Sequence, residues 1–249
     1  MVDRQFSDIR LAALYDLFYP SAERDDFAFY LPMLMSAQSV LDVGCGTGAL
    51  LKRARASGHN GRLCGLDPAR GMLDQARSRA DIEWVAGDLS SIDWKGEFDL
   101  VVMTGHAFQV LVDDGAIRAS LAAVRRCLTD DGRFAFETRN PLARAWETWT
   151  RDMADEIVDR SGTVIRMKHA VEQPVHGDVV SFVTTYTSPS WDHPEQSRST
   201  LRFLGADALR AFLSDAGLSI VEQFGEWDGQ PFTERSTEII TIARAARSA

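Results

Sequence analysis

Three glycines alternate in Asp42-Val43-Gly44-Cys45-Gly46-Thr47-Gly48, after the short run Ser39-Val40-Leu41 and before a helical pattern carrying Ala49, Leu50, Leu51 and Ala54. Glycines at that spacing let a chain turn tightly and let a ligand approach the backbone. Free N–H groups at the helix start then face the polar part of that ligand. An acid, Asp67, closes the next strand pattern, Arg62-Leu63-Cys64-Gly65-Leu66. A carboxylate there can accept from both ribose hydroxyls of a nucleotide-like ligand. The turn alone would be only a turn; with Asp67 it reads as a cofactor site. The dinucleotide pattern is GxGxxG, whereas Gly44, Gly46 and Gly48 give GxGxG with Asp42 ahead of the first glycine.

Two further stretches carry groups that can bind ions or move protons. Thr104-Gly105-His106-Ala107-Phe108-Gln109 follows a buried-strand pattern at 98–103. His106 has the titration range of a proton acceptor, although a histidine so placed can also only shape a pocket. Phe108 and Gln109 can contact cofactor or substrate. Glu137-Thr138-Arg139-Asn140-Pro141 ends the next strand pattern. Arg139 is a candidate clamp for a carboxylate or phosphate; the plainer reading pairs it with Glu137 or a nearby acid.

The elements that must position these groups are legible as an α/β alternation. Strands are expected at 40–43, 62–67, 82–85, 98–103 and 133–138, with helices at 48–56, 68–76 and 113–128 between them. Two helices, 6–19 and 23–35, precede the first strand, and Pro32 is expected to kink or break the second. After Pro141 the composition turns tryptophan-rich. Alternating stretches at 163–172 and 179–187 then read as a hairpin, with a third short strand at 199–203. The chain closes with a helix at 205–216, strands at 218–224 and 238–243, and a frayed tail at 244–249. The expected fold is α/β: a doubly wound, seven-stranded, mostly parallel sheet with an antiparallel C-terminal hairpin, N-terminal helices and an inserted antiparallel β lid. It divides into an N-terminal helical cap (1–37), a cofactor-binding Rossmann-like core (38–140), an inserted substrate lid (141–203) and the C-terminal part of the core (204–249). Ligands of such sheets bind at the carboxyl edge, where the rim residues above are placed.

The glycine loop, Asp67, and Ala86-Gly87-Asp88-Leu89 following Ile82-Glu83-Trp84-Val85 together resemble the class I, Rossmann-like S-adenosylmethionine-dependent methyltransferases. The match covers 38–138, and more weakly the C-terminus. The resemblance implies that Gly44, Cys45, Gly46 and Gly48 cradle the methionine end of S-adenosylmethionine and that Asp42 helps to bind its ammonium. It implies Asp67 for the ribose, and Asp88 and Leu89 for the adenine. Pro68, Met72 and Thr104 join this set, with Met72 equally able to be core. Similar enzymes close an N-terminal Tyr-Asp-x-x-Tyr segment over the cofactor, which gives Tyr15 a cofactor role and Tyr19 a substrate role. His106 is expected beside the cofactor as a catalytic base, with Arg139 the second catalytic candidate. The substrate wall is expected from Tyr19, Phe108, Gln109, Arg139, Asn140, Trp146, Trp149, Tyr186 and Arg202, the aromatic members being equally suited to packing.

Composition narrows the partner. With 249 residues and a formal net charge of −9, the chain lacks the basic balance of a general nucleic-acid binder, so a small molecule is expected. No apolar run of signal-peptide or membrane-spanning character is present. Cys45, Cys64 and Cys127 are not spaced for zinc or redox chemistry and suit a reduced, cytoplasmic protein. His169, His176 and His193 have no ligand spacing, so no metal is expected. The added strands leave room for a homodimer. The expected reaction is direct in-line displacement at the sulfonium methyl by an O or N acceptor. An NAD-dependent oxidoreductase would need a GxGxxG loop and a Tyr-Lys or His partner, neither of which is evident. A non-catalytic S-adenosylmethionine-binding protein, or an enzyme using the same cofactor as an aminopropyl donor, would share most of these features.

Overall fold

A computed structural model describes residues 2–149, 154–159 and 161–246. A seven-stranded sheet is built from β1 (Ser39–Val43), β2 (Arg62–Asp67), β3 (Glu83–Ala86), β4 (Phe98–Met103), β5 (Leu128–Arg139), β10 (Leu218–Phe224) and β11 (Glu238–Ala245). Its order is β10-β11-β5-β4-β1-β2-β3. β11 runs antiparallel to both β5 and β10, and the other pairings are parallel. The order reverses between β1 and β4, and a crevice for ligands opens outside the carboxyl ends of strands at such a point.

Both faces of this sheet are covered, which is why its strands read as near-continuous apolar runs. Leu41, Val43, Val101, Met103, Phe134 and Phe136 pack toward α7 (Asp114–Cys127) and α8 (Ala206–Asp215). Val40, Leu63, Leu100, Val102 and Ala135 pack toward α4 (Asp25–Ser36) and α5 (Ala49–Ala56). Pro32 lies inside α4 without ending it. α6 (Arg70–Ala76) follows β2 and carries Met72 into a separate buried cluster with Ala12 and Ala69.

Residues 4–18 depart from the single helix expected at 6–19. They form three one-turn pieces, α1 (Arg4–Ser7), α2 (Ile9–Ala12) and α3 (Tyr15–Phe18). Asp8 breaks the run: its carboxylate accepts from the backbone N–H groups of Arg10 and Leu11 and starts a new turn. Strand β5 also differs from the expected 133–138: it begins at Leu128 and takes in 129–132, with an irregular register against β4 there. Arg244 and Ala245, expected in the tail, belong to β11, and 247–249 lie outside the described residues.

Among the described residues, the block after β5 holds four antiparallel strands rather than three: β6 (Ala154–Val158), β7 (Val164–Val171), β8 (Val179–Thr187) and β9 (Glu195–Arg202), in that order across a second sheet. β6 is a mostly exposed edge strand and so lacks an alternating apolar pattern. β9 buries Ser197 and Ser199 in place of apolar residues; Ser197 Oγ accepts from the Gln5 backbone N–H at 3.0 Å, and Ser199 Oγ donates to Asp3 at 2.5 Å. Leu11 and Leu14 share one apolar cluster with Ile165, Met167 and Tyr186. The N-terminal turns and the second sheet are thereby a single packed body.

Candidate active site

Asp67 braces the glycine loop. Its Oδ2 accepts from the Gly46 N–H at 2.8 Å and its Oδ1 from the Ala69 N–H at 2.7 Å. Each oxygen keeps acceptor capacity for a further donor. Gly46 has a positive φ of 56°, and a Cβ there would meet nothing within 4 Å, so its face of the loop is open. Gly48 is glycine for a different reason: a Cβ would lie 2.2 Å from the Trp84 ring, which covers the loop from β3. Asp42 ends at the loop almost wholly buried, 1% exposed, and its Oδ1 has no hydrogen-bond partner among the described residues. Burial, with the neighbouring Asp67 charge, pushes its carboxyl up to about 8.

The N-terminal turns close over this loop. Thr47 Oγ1 donates to Asp16 Oδ1 at 2.7 Å, tying α3 to the loop itself. Tyr15 stacks obliquely on Tyr19, with ring centroids 5.0 Å apart. Arg24 lies beside Gly105, where a Cβ would be 3.3 Å from its Nη2, and it forks onto the buried Asp26. Asp16, Arg24, Asp26 and Trp84 were not singled out from the sequence. The first three lie before the first strand, where no spacing relates them to the loop.

Across the cleft, His106 adopts a left-handed conformation, φ 61°, that turns its backbone N–H onto Glu137 Oε1 at 2.7 Å. Its Nε2 lies 3.0 Å from Glu238 Oε2. Glu137 is fully buried and also accepts from Tyr30 Oη at 2.5 Å. Burial first, and the Arg139 charge second, push the His106 imidazole down to about 3. Burial pushes the Glu238 carboxyl up to about 8, against the pull of Arg139. The imidazole therefore stays neutral, and Glu238 holds the pair's one titrating proton below about 8 and can accept a proton once it is ionised. Glu137 and Glu238 were also not singled out as site residues. Glu238 is separated from His106 by more than half the chain and meets the site only through the register that sets it opposite Arg139 across β5 and β11.

The structure sorts the remaining candidates. Arg139 does not pair with Glu137: its Nη1 donates to Gln109 Oε1 at 3.0 Å, and its guanidinium lies 5.2 Å from the Trp149 ring centre. Tyr19 Oη stands near Met167 of the second sheet. Phe108 is buried against Phe136. Asp88 is exposed and uses one carboxylate oxygen to cap Ser90, leaving the other free, while Leu89 is buried beneath it. Cys45 is half-buried in the loop, and burial pushes its thiol well up. Pro68 follows Asp67 into the turn before α6, and Thr104 closes β4 at the rim, buried.

Four expected substrate contacts are instead engaged in structure. Asn140 Nδ2 donates to the carbonyls of Glu234 and Ser236, and its Oδ1 accepts from the Leu142 N–H. Gln109 holds Arg139 and donates to the Arg202 carbonyl. Tyr186 packs in the apolar cluster under α2, with its hydroxyl on Gln5. Arg202 forms ion pairs with Asp114 and Asp178 rather than entering the cleft. Met72 is likewise core packing. Trp146 and Trp149 pack on Phe203 and border a cavity of about 670 Å³ beside the β7–β8 connection. No helix among the described residues is long and apolar enough to cross a membrane.

Comparison with known proteins fits this geometry. Residues 40–132 match the family model of a methyltransferase domain. A cypemycin N-terminal methyltransferase from Streptomyces is 27% identical over 214 residues, which cover 84% of this chain and 83% of that protein. A malonyl-[acyl-carrier protein] O-methyltransferase from Geobacter sulfurreducens is 31% identical over 193 residues, 75% of this chain and 58% of that protein. Among solved structures, the CcbJ methyltransferase from Streptomyces caelestis shares the fold, with a TM-score of 0.77, 18% identity and 95% and 96% of the two chains covered.

Proposed function

The chain is a class I, Rossmann-like S-adenosylmethionine-dependent methyltransferase, and we propose that within this family it methylates an amine nitrogen of a small molecule. The carrying observation is the 3.0 Å contact between neutral His106 and Glu238 at the rim of the cofactor loop. An amine reaches the site largely as its ammonium and must lose a proton before its lone pair can attack. The Glu238 carboxylate, formed as pH rises through about 8, accepts that proton with little driving-force mismatch, whereas it is far too weak a base for an alcohol. The relatives named above include both an N- and an O-methyltransferase, so the rim chemistry is the deciding argument.

The cofactor residues fit their group. The orphaned Asp42 Oδ1 suits the cofactor's ammonium, the open Gly46 face suits close backbone approach, and Asp67 retains capacity for ribose hydroxyls. Arg24 supplies a cation for the carboxylate end. S-adenosylmethionine, when bound, supplies a methyl group made electrophilic by its sulfonium. The chain's own work is to hold the acceptor nitrogen in line, take its proton on the His106–Glu238 pair, and exclude water with the N-terminal turns.

The test is methyl transfer to matched acceptors: amino sugars with their parent sugars, and dipeptides with their N-acetyl forms, read by mass spectrometry. Methylated amines alone are expected. Glu238→Gln should lower kcat about 100-fold and abolish a rise in rate with pH through about 8. Methyl ethers or esters in place of methylamines would overturn the proposal.

A further inference from the structure

Arg139 stands at the carboxyl end of β5, directly opposite Glu238 in the β5–β11 register. It therefore shares a rim with the proton-accepting pair. It is half-buried, and its guanidinium is held in place on two sides, by Gln109 Oε1 at 3.0 Å and by the Trp149 ring. Gln109 is itself fixed through the Arg202 carbonyl at 3.1 Å. This is the construction of a positioned cation, yet among the described residues no carboxylate oxygen lies within the 4.0 Å of an ion pair. The contrast with its neighbours is direct: Arg24 forks onto Asp26, and Arg202 pairs with both Asp114 and Asp178. Glu238 and Glu137 act on it only from beyond contact, so a guanidinium withdrawn from water without an anion in contact is costly, and most of its five donors remain to be used.

We infer that Arg139 is an anion clamp for the acceptor: the molecule methylated carries an oxyanion, carboxylate or phosphoryl, in addition to its amine. This rests on the amine reading above and narrows it to a zwitterionic substrate class. The cofactor's own carboxylate is the other oxyanion at hand, but Arg24, beside Gly105 and the glycine loop, is placed for it. Arg139 instead lies against the Trp149 ring, in the stretch before β6, and near enough to Tyr19 for its charge to act on it. The cleft then offers a cation-seeking acidic end and an anion-seeking arginine on opposing positions of two paired strands. A neutral amine uses only half of that arrangement.

Calorimetry on the protein saturated with S-adenosylhomocysteine tests the clamp without knowledge of the substrate. Sodium malonate and sodium pyrophosphate are the probes, with glycerol as the uncharged control. Saturable binding of at least one oxyanion is expected, weakened tenfold or more in Arg139→Gln and partly restored in Arg139→Lys, which keeps the charge but loses the planar fork. Preference for malonate or for pyrophosphate separates a carboxylate from a phosphoryl acceptor. Unchanged S-adenosylhomocysteine affinity in Arg139→Gln is expected, and it also certifies the fold of the variant. The inference is overturned if neither oxyanion binds saturably, if Arg139→Gln binds it equally well, or if that variant loses S-adenosylhomocysteine instead. Glu238→Gln should keep the oxyanion, so failure of the amine reading in the acceptor assay and failure of the clamp are separate results.

Discussion

At the glycine loop, Asp67 grips two backbone N–H groups while Asp42 stands buried with an oxygen unpartnered. Across the cleft the arrangement is inverted: Arg139 is gripped by side chains and lacks an anion among the described residues. The floor is built by backbone geometry on consecutive parallel strands, so its residues sit close in sequence. The opposite wall is assembled by side chains from the segment after β4, from β5 and β11, and from the stretch before β6. Each wall holds one buried group that the described residues leave without a charged partner in contact, an acid on the floor and a guanidinium opposite. One wall suits a ligand ammonium and the other a ligand oxyanion.

The largest effect that could break this comparison is at the floor. Asp67→Ala removes the brace of Gly46 and the ribose acceptor together. Two charge-assisted hydrogen bonds of about 1.5–3 kcal/mol each put the expected loss of S-adenosylhomocysteine affinity at about 100-fold or more by calorimetry. Asp42→Asn should also weaken that binding, yet stabilise the ligand-free protein at pH 8, because it removes a buried acid that resists ionisation. Equal binding by both variants and the parent chain would remove the floor from the cofactor's site.

The acids of both walls make a pH prediction of intermediate size. Asp42 and Glu238 are held protonated in the folded state to about 8, while in the unfolded chain they ionise near 3.8 and 4.5. Between those limits unfolding releases protons, so stability is greatest below the window and falls as pH rises through about 8. The change is read as a falling Tm from pH 5 to pH 8.5. The double variant Asp42→Asn, Glu238→Gln should flatten that slope. A Tm that rises across the same range in the parent chain would show that both acids ionise freely.

How much of this was legible in the chain follows from the same contrast. Asp42, the three glycines and Asp67 could be read because a strand–turn–helix unit fixes them locally. Glu238 could not, since its place depends on β11 reversing beside β5, and a register over that sequence distance leaves no local trace. Asn140, Tyr186 and Arg202 were placed at the substrate because polar or aromatic residues near a carboxyl edge invite it. The structure gives them backbone carbonyls, an apolar cluster and two carboxylates as partners. The β9 strand went half unread because buried serines, paired with Asp3 and Gln5, replace the apolar alternation that marks a strand. Asn140→Ala tests this sorting: three lost hydrogen bonds in a buried corner should cost about 2–3 kcal/mol of stability by denaturant titration and leave acceptor KM unchanged. A raised KM with undiminished stability would return Asn140 to the substrate.

The smallest effect concerns how the two walls communicate. Thr47 on the floor donates to Asp16 on the N-terminal turns, and those turns share an apolar cluster with the second sheet through Leu11 and Leu14. The hydroxyl bond is therefore the junction between the loop and the packed body above it. Thr47→Val keeps the side-chain shape and removes only the donor, so about 1 kcal/mol of closure, or roughly fivefold, is at stake. A closed cover slows ligand escape more than it slows entry from the open state. Stopped-flow measurement should accordingly show faster release of S-adenosylhomocysteine with little change in its association rate. A changed association rate with an unchanged release rate would mean that the turns form part of the resting floor rather than its cover.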